Sequence, residues 1–164
     1  MVRAALMEGV MRIRVLTVAT LSCSIFVASC QERAPLAPGA AGTLDQFVKG
    51  LQQQGLTVAV AGEIPPDVNG FFSVPARQVR VNESQVNVFE YPGAQAAAAE
   101  AALVSPDGQP SPTARITWVS TPHFYRQDRL IVLYVGCSTE IVQALQTTVG
   151  PPIAVGRTPC EPER

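Results

Sequence analysis

The chain has few charged residues, a single histidine and no apolar run long enough to cross a bilayer. Charged residues make up 15% of its 164 residues. From Cys30 onward, nine lysines and arginines stand against twelve acidic residues, so the basic surface that nucleic-acid binding requires is missing. His123 has no neighbouring ligands at metal-binding spacing. Phosphate-binding loops and nucleophile elbows are also absent. The sequence therefore predicts no metal, no cofactor and no nucleic-acid partner.

The N-terminal apolar segment, Val15 to Val27, follows two arginines. Its length is that of a secretory signal, roughly 7 to 15 residues, and it falls short of the ~20 residues that a membrane-spanning helix needs. The segment ends in Val-Ala-Ser-Cys, which resembles the lipobox of bacterial lipoproteins. That resemblance implies that residues 1–29 are a removed signal peptide and that Cys30 carries lipid. An ordinary cleaved signal followed by a chance cysteine is the alternative.

A lipid on Cys30 would determine where the protein lies. Two or more acyl chains hold a protein firmly on a membrane, whereas one chain binds reversibly. Gln31, rather than aspartate, follows the cysteine, and in lipoproteins of diderm bacteria this pattern implies the outer membrane. Residues 30–42 are rich in proline, alanine and glycine and are expected to form a flexible tether. The sequence therefore predicts an extracytoplasmic domain held at the cell envelope.

Two cysteines, Cys137 and Cys160, remain once the signal and the lipid site are set aside. Outside the cytoplasm, leftover cysteines are usually paired. Cys137 precedes a predicted helix whose far end leads back toward Cys160, so we expect a disulfide between them. Two free thiols are the alternative, because sequence does not give the geometry.

The order of helical and strand patterns predicts an α+β fold. Residues 43–55 carry a capping box, a helical apolar stripe and a terminal glycine. An alanine-rich helix is expected after Pro92, packed closely on a sheet, and a third helix after Ser138. Six strands are expected at 56–61, 71–81, 85–91, 114–120, 122–126 and 129–136.

This order reads α-β-β-β-α-β-β-β-α and suggests an internal α-β-β-β pseudo-repeat. We expect an antiparallel sheet of about six strands with helices on one face and a binding surface on the other. Pro75 predicts an edge or bulged strand, and the apolar run from Leu130 to Val135 predicts a central one. The predicted single domain spans residues 43–156, followed by a tail at 157–164.

The stretch "PHFYR" carries the densest set of recognition side chains. His123, Tyr125 and Arg126 bring an imidazole, a phenol and a guanidinium into one short strand, and Phe124 points to the opposite face. Tyrosine and arginine are favoured at recognition hot spots. Arg77 lies in the equivalent strand of the suggested repeat. We expect these four polar residues to form an exposed ligand surface; the alternative is a strand that buries one aromatic and exposes only polar tips.

The segments "FFSVPARQVRV", "VSPDG" and "TPHFYRQDRLIVLYVG" resemble a group of short bacterial proteins, many with a lipoprotein signal, to which no activity attaches. The resemblance covers nearly the whole mature domain and implies one folded unit. Three functions follow as hypotheses. The first is a membrane-tethered, non-catalytic module that binds a protein or glycan of the envelope. The second is a thiol enzyme using Cys137 and His123, and the third is a purely structural envelope component.

Overall fold

The computed structural model describes residues 41–110 and 116–160. The predicted signal peptide, Cys30, most of the predicted tether and the end of the C-terminal tail lie outside these residues. The described elements are α1 (Leu44–Gln53), β1 (Val58–Ile64), α2 (Pro66–Asn69), β2 (Ala76–Val81), β3 (Ser84–Glu90), α3 (Ala94–Ala101), β4 (Pro122–Gln127), β5 (Leu130–Val135), α4 (Thr139–Val149) and β6 (Pro152–Val155). None of these helices has the length and apolar character that a membrane span requires.

The six strands form one antiparallel sheet in the order β1-β2-β3-β5-β4-β6. The α+β class and the antiparallel six-stranded sheet are therefore confirmed. β5 lies in the middle of the sheet, as its apolar run predicted, and every residue from Leu130 to Tyr134 is buried. The hairpins β2–β3 and β4–β5 lie side by side at the centre.

Helices cover both faces of the sheet, so the prediction of helices on one face is wrong. Leu130 and Val132 of β5 belong to a core formed with α1 and α4, which we call the α4 face. Ile131 and Leu133 point the other way, into a second core that includes Ala97 of α3, which we call the α3 face. Side chains alternate along a strand, and a strand that is apolar on both sides has to be covered on both sides.

The predicted α-β-β-β repeat is not found among the described residues of the second half of the chain. Residues 116–120 form no strand, and the sixth strand is β6, which follows α4. The backbone N–H of Ile116 instead donates to Gln109 Oε1 at 2.8 Å, and Trp118 Nε1 donates to the Gly108 carbonyl at 2.9 Å. These contacts hold the segment as a loop against the α3 face.

The two central hairpins nevertheless share one turn geometry. Each has a two-residue turn whose first residue has positive φ, 51° at Asn82 and 50° at Asp128. Asparagine and aspartate tolerate this left-handed conformation better than other side chains. The prediction that Pro75 marks an edge strand is wrong, although the pairing of β2 with β1 does contain a bulge, between Val60 and Gly62. β2 begins after Pro75 and lies between β1 and β3, so the missing N–H costs no ladder hydrogen bond.

The predicted helix caps are confirmed. Thr43 Oγ1 accepts from the Gln46 N–H at 3.2 Å, and Gln46 Oε1 accepts from the Gly42 N–H at 2.9 Å. Ser138 Oγ accepts from the Ile141 N–H at 3.4 Å and so caps α4. The cap on α4 places the start of that helix at the end of β5, where the candidate site lies.

Candidate functional site

An open cleft of about 1440 Å³ lies at the end of the sheet where α4 begins. Four chain segments line it: the β2–β3 turn from Asn82 to Ser84, the loop at Val119 and Ser120, the passage from the end of β5 into the first turn of α4, and the segment from Thr158 to Cys160. These segments are distant in sequence, so only the folded chain brings them together.

Asn82 ties the hairpin turn to α4. Its Oδ1 accepts from the Thr57 N–H at 3.0 Å, while its Nδ2 donates to Glu140 Oε1 at 3.2 Å. One amide therefore joins the chain before β1, the β2–β3 turn and the first turn of α4. This link fixes one side of the cleft without any ligand.

Tyr134 forms another part of the lining, at the end of β5. Its Oη accepts a hydrogen bond from the Ser138 N–H at 3.1 Å. Gly136 is required beside it, since a Cβ at that position would stand 2.3 Å from Tyr134 Oη. The close approach of the phenol to the backbone therefore excludes any larger residue at position 136 unless the ring moves.

His123 supports the cleft without lining it. Its ring stacks on Tyr134 with centroids 5.8 Å apart, and Nε2 donates to the Gly136 carbonyl at 3.1 Å. Partial burial lowers the pKa of His123 from its usual value, and the hydrogen bond to Gly136 acts in the opposite direction. The imidazole therefore favours the neutral form and positions two residues of the lining.

The predicted disulfide between Cys137 and Cys160 is confirmed, with a Cα–Cα distance of 5.6 Å. Both sulfurs lie in the cleft, and both have hydroxyl neighbours. Ser120 Oγ is 3.2 Å from Cys137 Sγ, and Thr121 Oγ1 is 3.3 Å from Cys160 Sγ. Thr121 Oγ1 also donates to the Thr158 carbonyl, so the C-terminal segment is held to the start of β4.

The cleft is polar and acidic. Glu83 and Glu140 are its charged side chains, and no lysine, arginine or histidine lines it in the part of the chain that the structure describes. Serine hydroxyls, an asparagine amide and backbone groups provide the remaining polar surface. A neutral or cationic ligand therefore matches this lining better than an anionic one.

The structure separates the residues that the sequence grouped in "PHFYR". His123 and Tyr125 lie on the α4 face of the sheet, whereas Phe124 lies on the α3 face. The predicted alternation of side chains along this strand is therefore confirmed. The predicted exposure of Tyr125 is wrong. Its side chain is completely buried, because α1 and α4 cover the face on which it lies.

Arg77 and Arg126 do not join His123 in one site. β2 and β4 are separated by β3 and β5, so at ~4.8 Å per strand Arg77 lies about 14 Å across the sheet from the β4 row. Arg77 Nη1 instead donates to Glu63 Oε2 at 3.1 Å on the edge strand β1. Arg126 lies near the turn end of β4, away from the Pro122 end, which follows the cleft segment at Val119 and Ser120. The prediction of one exposed surface built from these residues is therefore wrong.

Comparisons with protein-family models, with curated proteins and with solved structures find no match to this chain. The assignment of the candidate site therefore rests on its geometry alone. In that geometry the Cys137 sulfur is bonded to Cys160 and is not the free nucleophile that a Cys137–His123 enzyme would need.

Sequence reasoning identified parts of the cleft without joining them. It predicted the break between the strands at 71–81 and 85–91, the helix after Ser138 and the disulfide. It missed Tyr134, Glu140 and the role of the hairpin turn in the lining. A useful signal was the position of Cys137 directly before a helix cap, because a disulfide there has to bring the C-terminal segment to the end of β5.

Proposed function

We propose that this protein is a lipid-anchored, non-catalytic binding module of the cell envelope and that the cleft holds its ligand. The observation that carries the proposal is the cleft itself, whose walls are joined by the disulfide and by the Asn82 contacts. A site built in this way is preformed, and preformed concave sites are typical of ligand binding.

The extracytoplasmic location is supported by two independent features. Disulfides persist in oxidising compartments and are rare in the cytosol. The chain carries one between Cys137 and Cys160, and its N-terminal region carries the lipobox-like Val-Ala-Ser-Cys ending at Cys30. The disulfide favours a protein that crosses the cytoplasmic membrane, and the lipobox-like segment also favours retention at a membrane surface.

The point where the tether enters the domain also suits this role. The Ala41 N–H donates to the Thr148 carbonyl at 3.4 Å, near the C-terminal end of α4, whereas the cleft lies at the N-terminal end. Thr148 lies eight residues after Glu140, which lines the cleft, so the two points are about 12 Å apart along α4 at 1.5 Å per residue. An anchor reached through Ala41 therefore leaves the cleft accessible.

Site-specific photocrosslinking in cells tests the proposal on the full lipidated chain. A photoreactive amino acid at position 119 would replace Val119, which lines the cleft and is 95% exposed. The matched control is position 68, where Val68 is 69% exposed and lies outside the cleft. We expect an adduct at 119 and none at 68, and we expect Ser84→Trp, elsewhere in the lining, to suppress it.

Two results would count against the binding module. Equal labelling at positions 119 and 68 would indicate random collision rather than a site. Absence of any adduct at 119, in cells where the variant is anchored and folded, would favour the purely structural envelope component instead.

A further inference from the structure

We propose that the Cys137–Cys160 disulfide is a thiol–disulfide exchange site, in which an external thiolate attacks Cys160 Sγ and Cys137 leaves as a thiolate. The site shares the cleft of the proposed function. It requires neither the lipid anchor nor a bound ligand, so each proposal can fail separately.

Accessibility favours attack at Cys160. Cys160 is exposed and Cys137 is partly buried, and both lie in an open cleft. Exchange proceeds by attack of a thiolate on one sulfur, so its rate depends on which sulfur the incoming group can reach. A thiol that enters from solvent therefore meets Cys160 first.

The surroundings of Cys137 favour its departure as an anion. Cys137 directly precedes Ser138, the N-cap of the 11-residue helix α4, and the N-terminal end of a helix stabilises negative charge. Ser120 Oγ, at 3.2 Å, can donate a hydrogen bond to the Cys137 sulfur. The Ser120 hydroxyl therefore contacts the Cys137 sulfur, and the start of α4 directly follows Cys137 in the chain.

The fold does not depend on the bond that exchange would break. α4 is anchored by Ile141, Leu145 and Val149 in the core of the α4 face. β6 stays paired with β4, and the Gly156 N–H donates to the Pro122 carbonyl at 2.8 Å. Reduction therefore leaves the sheet and its helices in place, and Thr121 Oγ1 still donates to the Thr158 carbonyl beyond Gly156.

The reaction balances with a thiol as the reductant. The incoming thiolate forms a bond to Cys160 Sγ, the Cys137–Cys160 bond breaks, and its electron pair leaves on Cys137 Sγ, which then takes up a proton. A second thiolate attacks the external sulfur of the mixed disulfide and releases Cys160 as a thiolate. Two external thiols are oxidised to a disulfide, and the protein disulfide is reduced to two thiols.

The acidic lining selects the thiol. Glu83 and Glu140 are the charged side chains of the cleft, and Glu140 lies in the first turn of α4. Like charges repel an anionic thiol at the cleft mouth, whereas a cationic or neutral thiol is not opposed. The expected partner is therefore a thiol on a neutral or positively charged molecule.

Mass mapping on the full chain, purified in detergent, tests the direction of attack. The oxidised protein is treated briefly with cysteamine, quenched with N-ethylmaleimide and cut with trypsin. Trypsin separates the peptide 130–157, which contains Cys137, from the peptide 158–164, which contains Cys160. We expect the cysteamine adduct on 158–164 and the maleimide on 130–157, with about a fivefold excess over the reverse labelling.

Rates with two thiols test the selectivity. We expect cysteamine to react faster than 3-mercaptopropionate. Glu140→Gln should lower the ratio of these two rates by about twofold to fivefold. Glu100→Gln, on α3 and outside the cleft, is the matched control and should leave the ratio unchanged. Circular dichroism of the reduced chain should show a cooperative unfolding transition.

Three outcomes would overturn the proposal. The first is an adduct mainly on the Cys137 peptide, and the second is a chain that loses its cooperative transition on reduction, as a purely structural disulfide would. The third is a ratio of the cysteamine rate to the 3-mercaptopropionate rate that Glu140→Gln does not change. None of these results bears on ligand crosslinking at position 119, which is measured on the oxidised protein.

Discussion

The Tyr125 hydroxyl is buried and has no hydrogen-bond partner within the described ranges. We expect Tyr125→Phe to raise the free energy of unfolding by about 1 kcal/mol, because a buried hydroxyl without a partner is costly to desolvate. Chemical denaturation at pH 7 measures the change. Tyr134→Phe is the matched control and should have the opposite sign, since the Tyr134 hydroxyl accepts from the Ser138 N–H. A loss of stability in Tyr125→Phe would show that the hydroxyl has a partner.

The same residue makes the fold sensitive to alkali. Burial, with a further contribution from Tyr134, raises the pKa of Tyr125 from 10.0 to about 12. Between these values the unfolded chain releases the Tyr125 proton and the folded chain keeps it. The free energy of unfolding therefore falls as the pH rises above 10, and Tyr125→Phe should reduce the steepness of that fall.

His123 should make the fold less stable as the pH falls into the acid range. Burial lowers the pKa of His123 below 6.5, so the unfolded chain binds the proton first as the pH falls. The free energy of unfolding of the wild-type chain should therefore decrease as the pH falls through about 6.5, the usual pKa of histidine in an unfolded chain. Denaturation curves between pH 5 and 8 measure this, and His123→Gln should show a shallower slope. Parallel curves for the two proteins would contradict the assignment.

Among the helices, α3 depends on the small size of alanine. Ala97 is completely buried on the α3 face, whereas Ala98 is exposed on the same helix. We expect Ala97→Leu to lower the free energy of unfolding by about 1 to 3 kcal/mol, because extra volume in a packed core forces neighbours to move. Ala98→Leu is the matched control, expected within about 0.5 kcal/mol of wild type. Equal effects would show that α3 is not packed as described.

The close packing of α3 on the sheet also accounts for its alanine-rich sequence. Ala97 and Ala101 form its buried side, and they allow the helix to lie directly on β4 and β5. The prediction of an alanine-rich helix packed closely on a sheet is therefore confirmed.

At the level of the entire chain, the lipid anchor remains a prediction that fractionation can test. Cys30→Ser removes the proposed acylated sulfur, so the processed chain should move from the membrane to the soluble extracytoplasmic fraction. Ala28→Ser, which keeps a small residue before the cysteine, is the control, and the chain that carries it should stay on the membrane. If the Cys30→Ser chain stays membrane-bound after signal removal, another feature holds it there.

Local sequence signals correctly predicted the elements that depend on neighbours in the chain. Thr43 and Ser138 cap helices because a side-chain oxygen meets an N–H three residues later. Alternation placed Phe124 opposite Tyr125. The sequence did not predict β6, because this strand has only four residues, starts with a proline and has no strand pattern of its own. It forms a strand through its pairing with β4.

The sequence by itself determined which side chains share a face, but only the assembled sheet determined what covers that face. The two-residue period of a strand sets His123 and Tyr125 on one side whatever lies above them. Whether that side meets water depends on contacts between residues far apart in the chain, and here α1 and α4 pack over it and bury Tyr125. The cleft has the same origin, because its four segments meet through the sheet order, which no local pattern encodes.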